Sequence, residues 1–266
     1  MEIHVDLVPQ AAAAGTQPAA QPSRARVRGP RDGARGGSIT VVIDVLRAGT
    51  VAVLLFERGA SAVTLISGVR AARKLAETRS AVLVGERGGV PPEGFNHGSS
   101  PTALNRVDFT DREVVMLARD SAAALALAGP DAHLASLNNA VATAARLLER
   151  LPDEVRLTCA GDRGEPDLAD TVAAGLLVAL LDRGARRGSG LKVSLHGAAR
   201  YCLSVLRTTK DPLDGIWASG TGAELRGIGL EEDLAWASEV ASSDVVPRLT
   251  ALETVLGHPA ATLTSG

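Results

Sequence analysis

Short runs of aliphatic and β-branched residues recur along the chain, separated by stretches in which apolar residues return at helical spacing. Ile39-Thr40-Val41-Val42-Ile43 is the densest of them. A strand with one wet face alternates apolar and polar residues, whereas a continuous run fits a strand covered on both faces. Further strands are predicted at 3–8, 62–66, 81–84, 113–117, 132–135 and 155–159. Helices are predicted at 49–57, 68–78, 121–128, 138–150 and 168–182. Strands joined through helices of that length require crossovers, and the pattern predicts a three-layer α/β/α fold: a largely parallel sheet with crossover helices and a more helical C-terminal part.

Four segments follow from the same pattern. Residues 1–9 hold an N-terminal strand, and 10–38 are Ala, Gly, Pro and Arg with almost nothing to bury, which predicts a mobile low-complexity loop. Residues 39–182 form the α/β core. Residues 183–266 form a C-terminal helical part, either a cap or the end of the same domain; it opens with a polar, Gly-rich break at 183–190 and has helices near 197–207 and 231–240.

Composition narrows the function. The 266 residues include only 2% aromatics and carry a formal net charge of −2. Too few rings are present for a base-stacking platform, and a near-neutral chain does not suit a duplex, so no nucleic-acid partner is expected. No apolar stretch approaches the roughly 20 residues of a membrane span, and the start lacks a basic and apolar leader, so no membrane partner and a cytoplasmic location are expected. Cys159 and Cys202 read as small buried residues.

In parallel sheets ligands bind beyond the carboxyl ends of the strands, which directs attention to three strand-exit loops. Asp44-Val45-Leu46-Arg47 presents a carboxylate and a guanidinium beside a helix start. Such a pair can hold a metal-bridged anion, or Asp44 can simply cap the helix and pair with Arg47; both readings stand. Gly85-Glu86-Arg87-Gly88-Gly89 sets an acid and a base between glycines, as an anion cradle or an ordinary turn would. Ala160-Gly161-Asp162-Arg163-Gly164 is the third loop. A long irregular stretch, 91–101, follows the second; its His97 reads as a solvated loop residue.

The strings Val42-Ile43-Asp44-Val45-Leu46-Arg47-Ala48, Gly85-Glu86-Arg87-Gly88-Gly89, Glu93-Gly94-Phe95 and Gly98-Ser99-Ser100-Pro101 resemble, in order and spacing, the 2-phosphosulfolactate phosphatase family. Later pieces around Asn139, Cys159-Ala160-Gly161, Asp170-Thr171 and Asp233 to Pro247 extend the resemblance over about 39–249. It implies a magnesium-dependent phosphatase that hydrolyses 2-phospho-3-sulfolactate to 3-sulfolactate and phosphate, a step on the route to coenzyme M. The chain departs from the family at Asn96, Ser99, Ala169 and the segment Leu117-Ala118-Arg119-Asp120-Ser121-Ala122, where the family has Thr-Thr-Thr-Asn-Gly-Thr.

The implied partner is a small phosphate ester that also carries sulfonate and carboxylate, which guanidinium groups and a hard cation match. On this reading Asp44, Arg47, Glu86 and Arg87 are the catalytic candidates, and Gly88, Gly89, Asn96, Ser99, Ser100 and Asn139 the substrate-binding ones. Asp44, Glu86, Asp120 and Asp170 are the candidate Mg2+ ligands, since Mg2+ needs only one or two carboxylates besides substrate oxygens and water. Water attacks phosphorus directly, because neither Ser100 nor Cys159 has a His beside it to make a nucleophile. A phosphatase acting on another small anionic monoester, or a non-catalytic binder of an anionic metabolite, are the alternatives, and assembly into a homo-oligomer is compatible with each.

Overall fold

The computed structural model describes residues 1–10, 36–188 and 190–265. Most of the predicted low-complexity loop, 11–35, therefore lies outside the described residues. Strand β1 is Glu2–Asp6, β2 Ser38–Ile43, β3 Ala62–Ile66, β4 Val82–Gly85, β5 Glu113–Leu117, β6 His133–Ala135 and β7 Glu154–Cys159. Helices α1 (Ala48–Glu57), α2 (Val69–Arg79), α3 (Pro101–Leu104), α4 (Arg119–Ala128), α5 (Ala140–Arg150) and α6 (Leu168–Gly188) alternate with them. Then come β8 (Ser194–Gly197), α7 (Ala199–Thr208), α8 (Pro212–Ala218), α9 (Gly220–Gly227), α10 (Glu231–Ser238), β9 (Pro247–Val255) and β10 (His258–Ser265).

One ten-stranded sheet joins all strands in the order β4-β5-β3-β10-β9-β6-β2-β7-β1-β8. The run β4-β5-β3 is parallel, as is β6-β2-β7-β1-β8. The hairpin β9-β10 joins them antiparallel to both. Successive residues of β2 serve opposite cores, as its continuous apolar run requires. Val41 and Ile43 pack in a cluster with Leu147 of α5 and Leu177 and Leu181 of α6, while Val42 packs with Val51 and Leu55 of α1 and Leu125 of α4. At the other end, Ile66, Leu83 and Val115 turn toward Ala72 and Leu75 of α2.

Two expectations change. Residues 183–188 of the predicted break are instead the end of α6, which runs to Gly188. The C-terminal part is less helical than expected: β8 and the final hairpin both belong to the sheet, so of the two alternatives it shares the sheet of the core rather than only capping it. That hairpin was hidden because its strands are rich in Ala and Thr and its two-residue turn is Leu256-Gly257. Both turn residues have positive φ, 49° and 82°, a geometry usually signalled by Asn-Gly.

Candidate functional site

The carboxyl ends of β2, β3 and β5 open onto a cleft of about 980 Å³. Three helices begin there, and residues of each first turn line it: Ala48 of α1, Val69 and Arg70 of α2, Arg119 and Asp120 of α4. Among the described residues no side chain caps the N-termini of α2 and α4, while the first N–H of α1 is taken by Asp44. The first N–H groups of a helix have no partner within it and carry the positive end of its dipole, so the cleft wall is a surface built for an anion. Gly49 lets α1 start this close to the sheet, since a Cβ there would stand 2.2 Å from the Asp44 carbonyl oxygen and 2.8 Å from that of Ala135.

Asp44 follows β2 directly and is 8% exposed. Its Oδ1 accepts the Ala48 N–H at 3.1 Å and its Oδ2 accepts the Ser121 hydroxyl. Burial pushes this carboxyl up to about 6; the bonds from Ser121 and Ala48 oppose the shift, and repulsion from Asp120 and Asp167 adds to it. A carboxylate held near others at a buried position is where a cation gains most. Among the described residues, however, Asp44, Glu86, Asp120 and Asp170 do not form a group of three with ligand atoms packed around a common point. The set suits an ion that takes one or two carboxylates and fills its shell with water and substrate oxygens, as Mg2+ does.

Arg47 is almost wholly buried and bridges two acids. Its guanidinium pairs with Glu86 and, at 2.7 Å, with Asp233 Oδ2. Asp233 is held from behind by the Ser100 hydroxyl at 2.6 Å. Arg47 thus has two carboxylates against its one charge and ties the loops after β2 and β4 to α10. The free positive charge lies elsewhere. Arg87 and Arg70, both exposed on the cleft wall, have no ion-pair partner among the described residues. Arg119 pairs with Asp120 at 2.7 Å and Arg163 with Glu224 at 3.2 Å across the mouth.

The predicted residues divide cleanly. Asp44, Arg47, Glu86, Arg87, Gly88, Gly89, Ser99 and Asp120 come together on the cleft. Four others do not line it. Asn96 Oδ1 accepts the Leu83 N–H at 2.8 Å and ties the 91–101 loop to β4. Asn139 accepts from Ser136 N–H and donates to the carbonyls of Leu134 and Val245, bracing the exit of β6. Ser100 caps α3 and holds Asp233. Asp170, expected as a metal ligand, spends both oxygens on backbone: the Val45 N–H at 2.8 Å and the Gly161 N–H at 3.0 Å. It locks the Asp44 loop to the loop after β7, and burial and repulsion from Asp44 raise its pKa.

Asp233, Asp167, Ser121 and Arg70 escaped the sequence reading. Asp233 reaches Arg47 from α10, 186 residues further along the chain, and Arg70 stands on the first turn of α2 with no motif around it. Ser121 was in view, and it keeps one hydroxyl of a segment that reads as stripped of them. Cys159 is buried, which raises its thiol well above the ordinary range and leaves no thiolate for attack.

A protein of Deinococcus radiodurans named "Probable 2-phosphosulfolactate phosphatase" is 36% identical over 219 residues, 79% of this chain and 87% of its own. One of the same name from Thermus thermophilus is 35% identical over 214 residues, with the same shares. A third, from Symbiobacterium thermophilum, is 29% identical over 226 residues, 83% of this chain and 94% of its own. Residues 29–251 match the family described as 2-phosphosulpholactate phosphatase, and the chain belongs to that family.

Proposed function

We propose that the chain is a phosphoric monoester hydrolase that cleaves 2-phospho-3-sulfolactate to 3-sulfolactate and phosphate in the cleft around Asp44. The observation that carries the reading is the convergence of three helix N-termini, two of them without a side-chain cap, with Arg70 and Arg87, which have no ion-pair partner among the described residues, around Asp44 and Asp120. Phosphate-ester hydrolysis is very slow uncatalysed, and its transition state spreads charge over the phosphoryl oxygens. Fixed N–H groups and guanidinium groups stabilise that charge without having to reorganise.

The roles then follow from position. The phosphoryl group lies against the first turns of α1, α2 and α4. Arg87, on its glycine-flanked loop, and Arg70 take the phosphate oxygens or the substrate's other anionic groups. Arg47, already neutralised, holds Glu86 and Asp233 in place rather than binding the substrate. Asp44 and Asp120 are the residues that would hold Mg2+, which when bound supplies neutralising charge and an activated water. Water attacks phosphorus, the ester P–O bond breaks, and the alcohol and phosphate leave. Such a reaction fits a place on the route to coenzyme M.

A second reading, hydrolysis of a different small phosphate monoester, has one observation in its favour. Leu117, Ala118 and Arg119 put an apolar and a charged surface on the cleft where the family has a run of hydroxyls. Phosphate release from phosphosulfolactate, phospholactate and simple phosphate monoesters, with Mg2+ and with EDTA, separates the two. The first reading predicts Mg2+-dependent release with phosphosulfolactate preferred. Preference for another ester selects the second, and failure to release phosphate from any of them overturns both.

A further inference from the structure

At the edge of the sheet, β1 and β8 run parallel with His4 opposite His196. Strand periodicity puts Glu2 and His4 on one face of β1, and the register brings His196 beside them. The two imidazole rings lie 4.6 Å apart, nearly parallel at 13°. His4 Nε2 is 3.8 Å from Glu2 Oε2. One ligand atom of each of the three side chains lies within 4.8 Å of the other two, a cluster found once among the described residues. None of the three lines the cleft.

The surroundings leave this group free to take a cation. Arg156 of β7 is opposite His4 on the other side, but its guanidinium is committed to Asp6 at 3.0 Å and Glu154 at 3.2 Å. Glu2 has no Lys or Arg partner among the described residues. His196 and Glu2 are exposed and His4 half-buried, so an ion can enter without rearranging the core. Two imidazoles and one carboxylate form a mixed nitrogen and oxygen set. It suits Zn2+ and its transition-metal neighbours, with water completing the shell, and suits Mg2+ poorly.

We infer that Glu2, His4 and His196 form a binding site for a divalent transition-metal ion of the Zn2+ class, separate from the phosphatase cleft. β8 has four residues, mostly exposed, and pairs with β1 alone. An ion held by His196 and by Glu2 and His4 therefore clips that edge strand to its neighbour and joins parts of the chain 192 residues apart (196 − 4).

The test is a calorimetric Zn2+ titration of the full chain without an affinity tag, in excess Mg2+ to keep the cleft carboxylates occupied. One saturable equivalent is expected, weakened at least about tenfold in each of His4→Gln and His196→Gln. His196 is exposed and His4 half-buried, and circular dichroism checks that the fold is retained in both variants. With Cu2+ as probe, the electron paramagnetic resonance spectrum should show coupling to two imidazole nitrogens in the parent and to one in either variant. No saturable Zn2+ equivalent in the parent, or equal affinity in parent and both variants, overturns the inference.

Discussion

Replacing His133 with phenylalanine should change how the protein responds to acid. His133 lies in β6 between β2 and β9 and is 1% exposed. Burial pulls its imidazole down to about 4, and the guanidinium groups of Arg150 and Arg146 push the same way. The unfolded chain takes up this proton near the ordinary value of about 6.5, whereas the folded chain refuses it until about 4. Folding stability from the neutral imidazole is therefore complete above about 6.5 and is lost as the pH falls toward 4. Linkage between the two values puts the loss at about 2 kcal/mol by pH 5 and about 3 kcal/mol by pH 4. His133→Phe keeps a ring in the site and removes the proton. Whatever it costs at neutral pH, its disadvantage should shrink by about 3 kcal/mol between about pH 7.5 and pH 4. Urea unfolding of both proteins, followed by circular dichroism across that range, measures the difference. Parallel stability curves would show that His133 takes up its proton at the same pH folded and unfolded, and would refute the reasoning.

Two further outcomes test the cleft wall. Gly49→Ala drives a methyl group into the carbonyl oxygens of Asp44 and Ala135, so it should cost about 1–3 kcal/mol or more and lower the thermal midpoint by several degrees. An unchanged midpoint in differential scanning calorimetry would mean that α1 shifts freely. Arg70→Ala removes an unpaired guanidinium from the wall. On the proposed function it should lower kcat/KM for the phosphate ester about tenfold to a hundredfold, from the loss of one hydrogen bond to a charged group, with the melting temperature unchanged.

The fold was legible where local chemistry is strong. The run 39–43 announced a doubly covered strand, and strands at 62–66 and 113–117 match β3 and β5 residue for residue. The hairpin β9-β10 was not legible, because Leu256-Gly257 gives no turn signal and its strands hold no Ile and a single Val, Val255. The site divides along the same line. Asp44, Glu86 and Arg87 follow apolar strands directly, so their place at the strand ends can be read from sequence. Asp233 reaches Arg47, and Arg70 the cleft wall, only through tertiary packing. Asn96 and Asn139 show the converse: they stand in segments that resemble the family, Asn96 as a departure from it, yet their amides serve the backbone of the loops that surround the cleft. Asp170 likewise fixes the Asp44 loop from behind, which position along the chain does not distinguish from a ligand.

The central claim is that the cleft around Asp44 is the phosphatase centre. The most direct test is phosphate release from 2-phospho-3-sulfolactate by Asp44→Asn beside the parent, both in Mg2+ and both shown by circular dichroism to be folded. Asparagine keeps an oxygen for the Ala48 N–H but brings no charge for a cation, so kcat should fall about a hundredfold or more. Undiminished turnover by the folded variant would contradict the account.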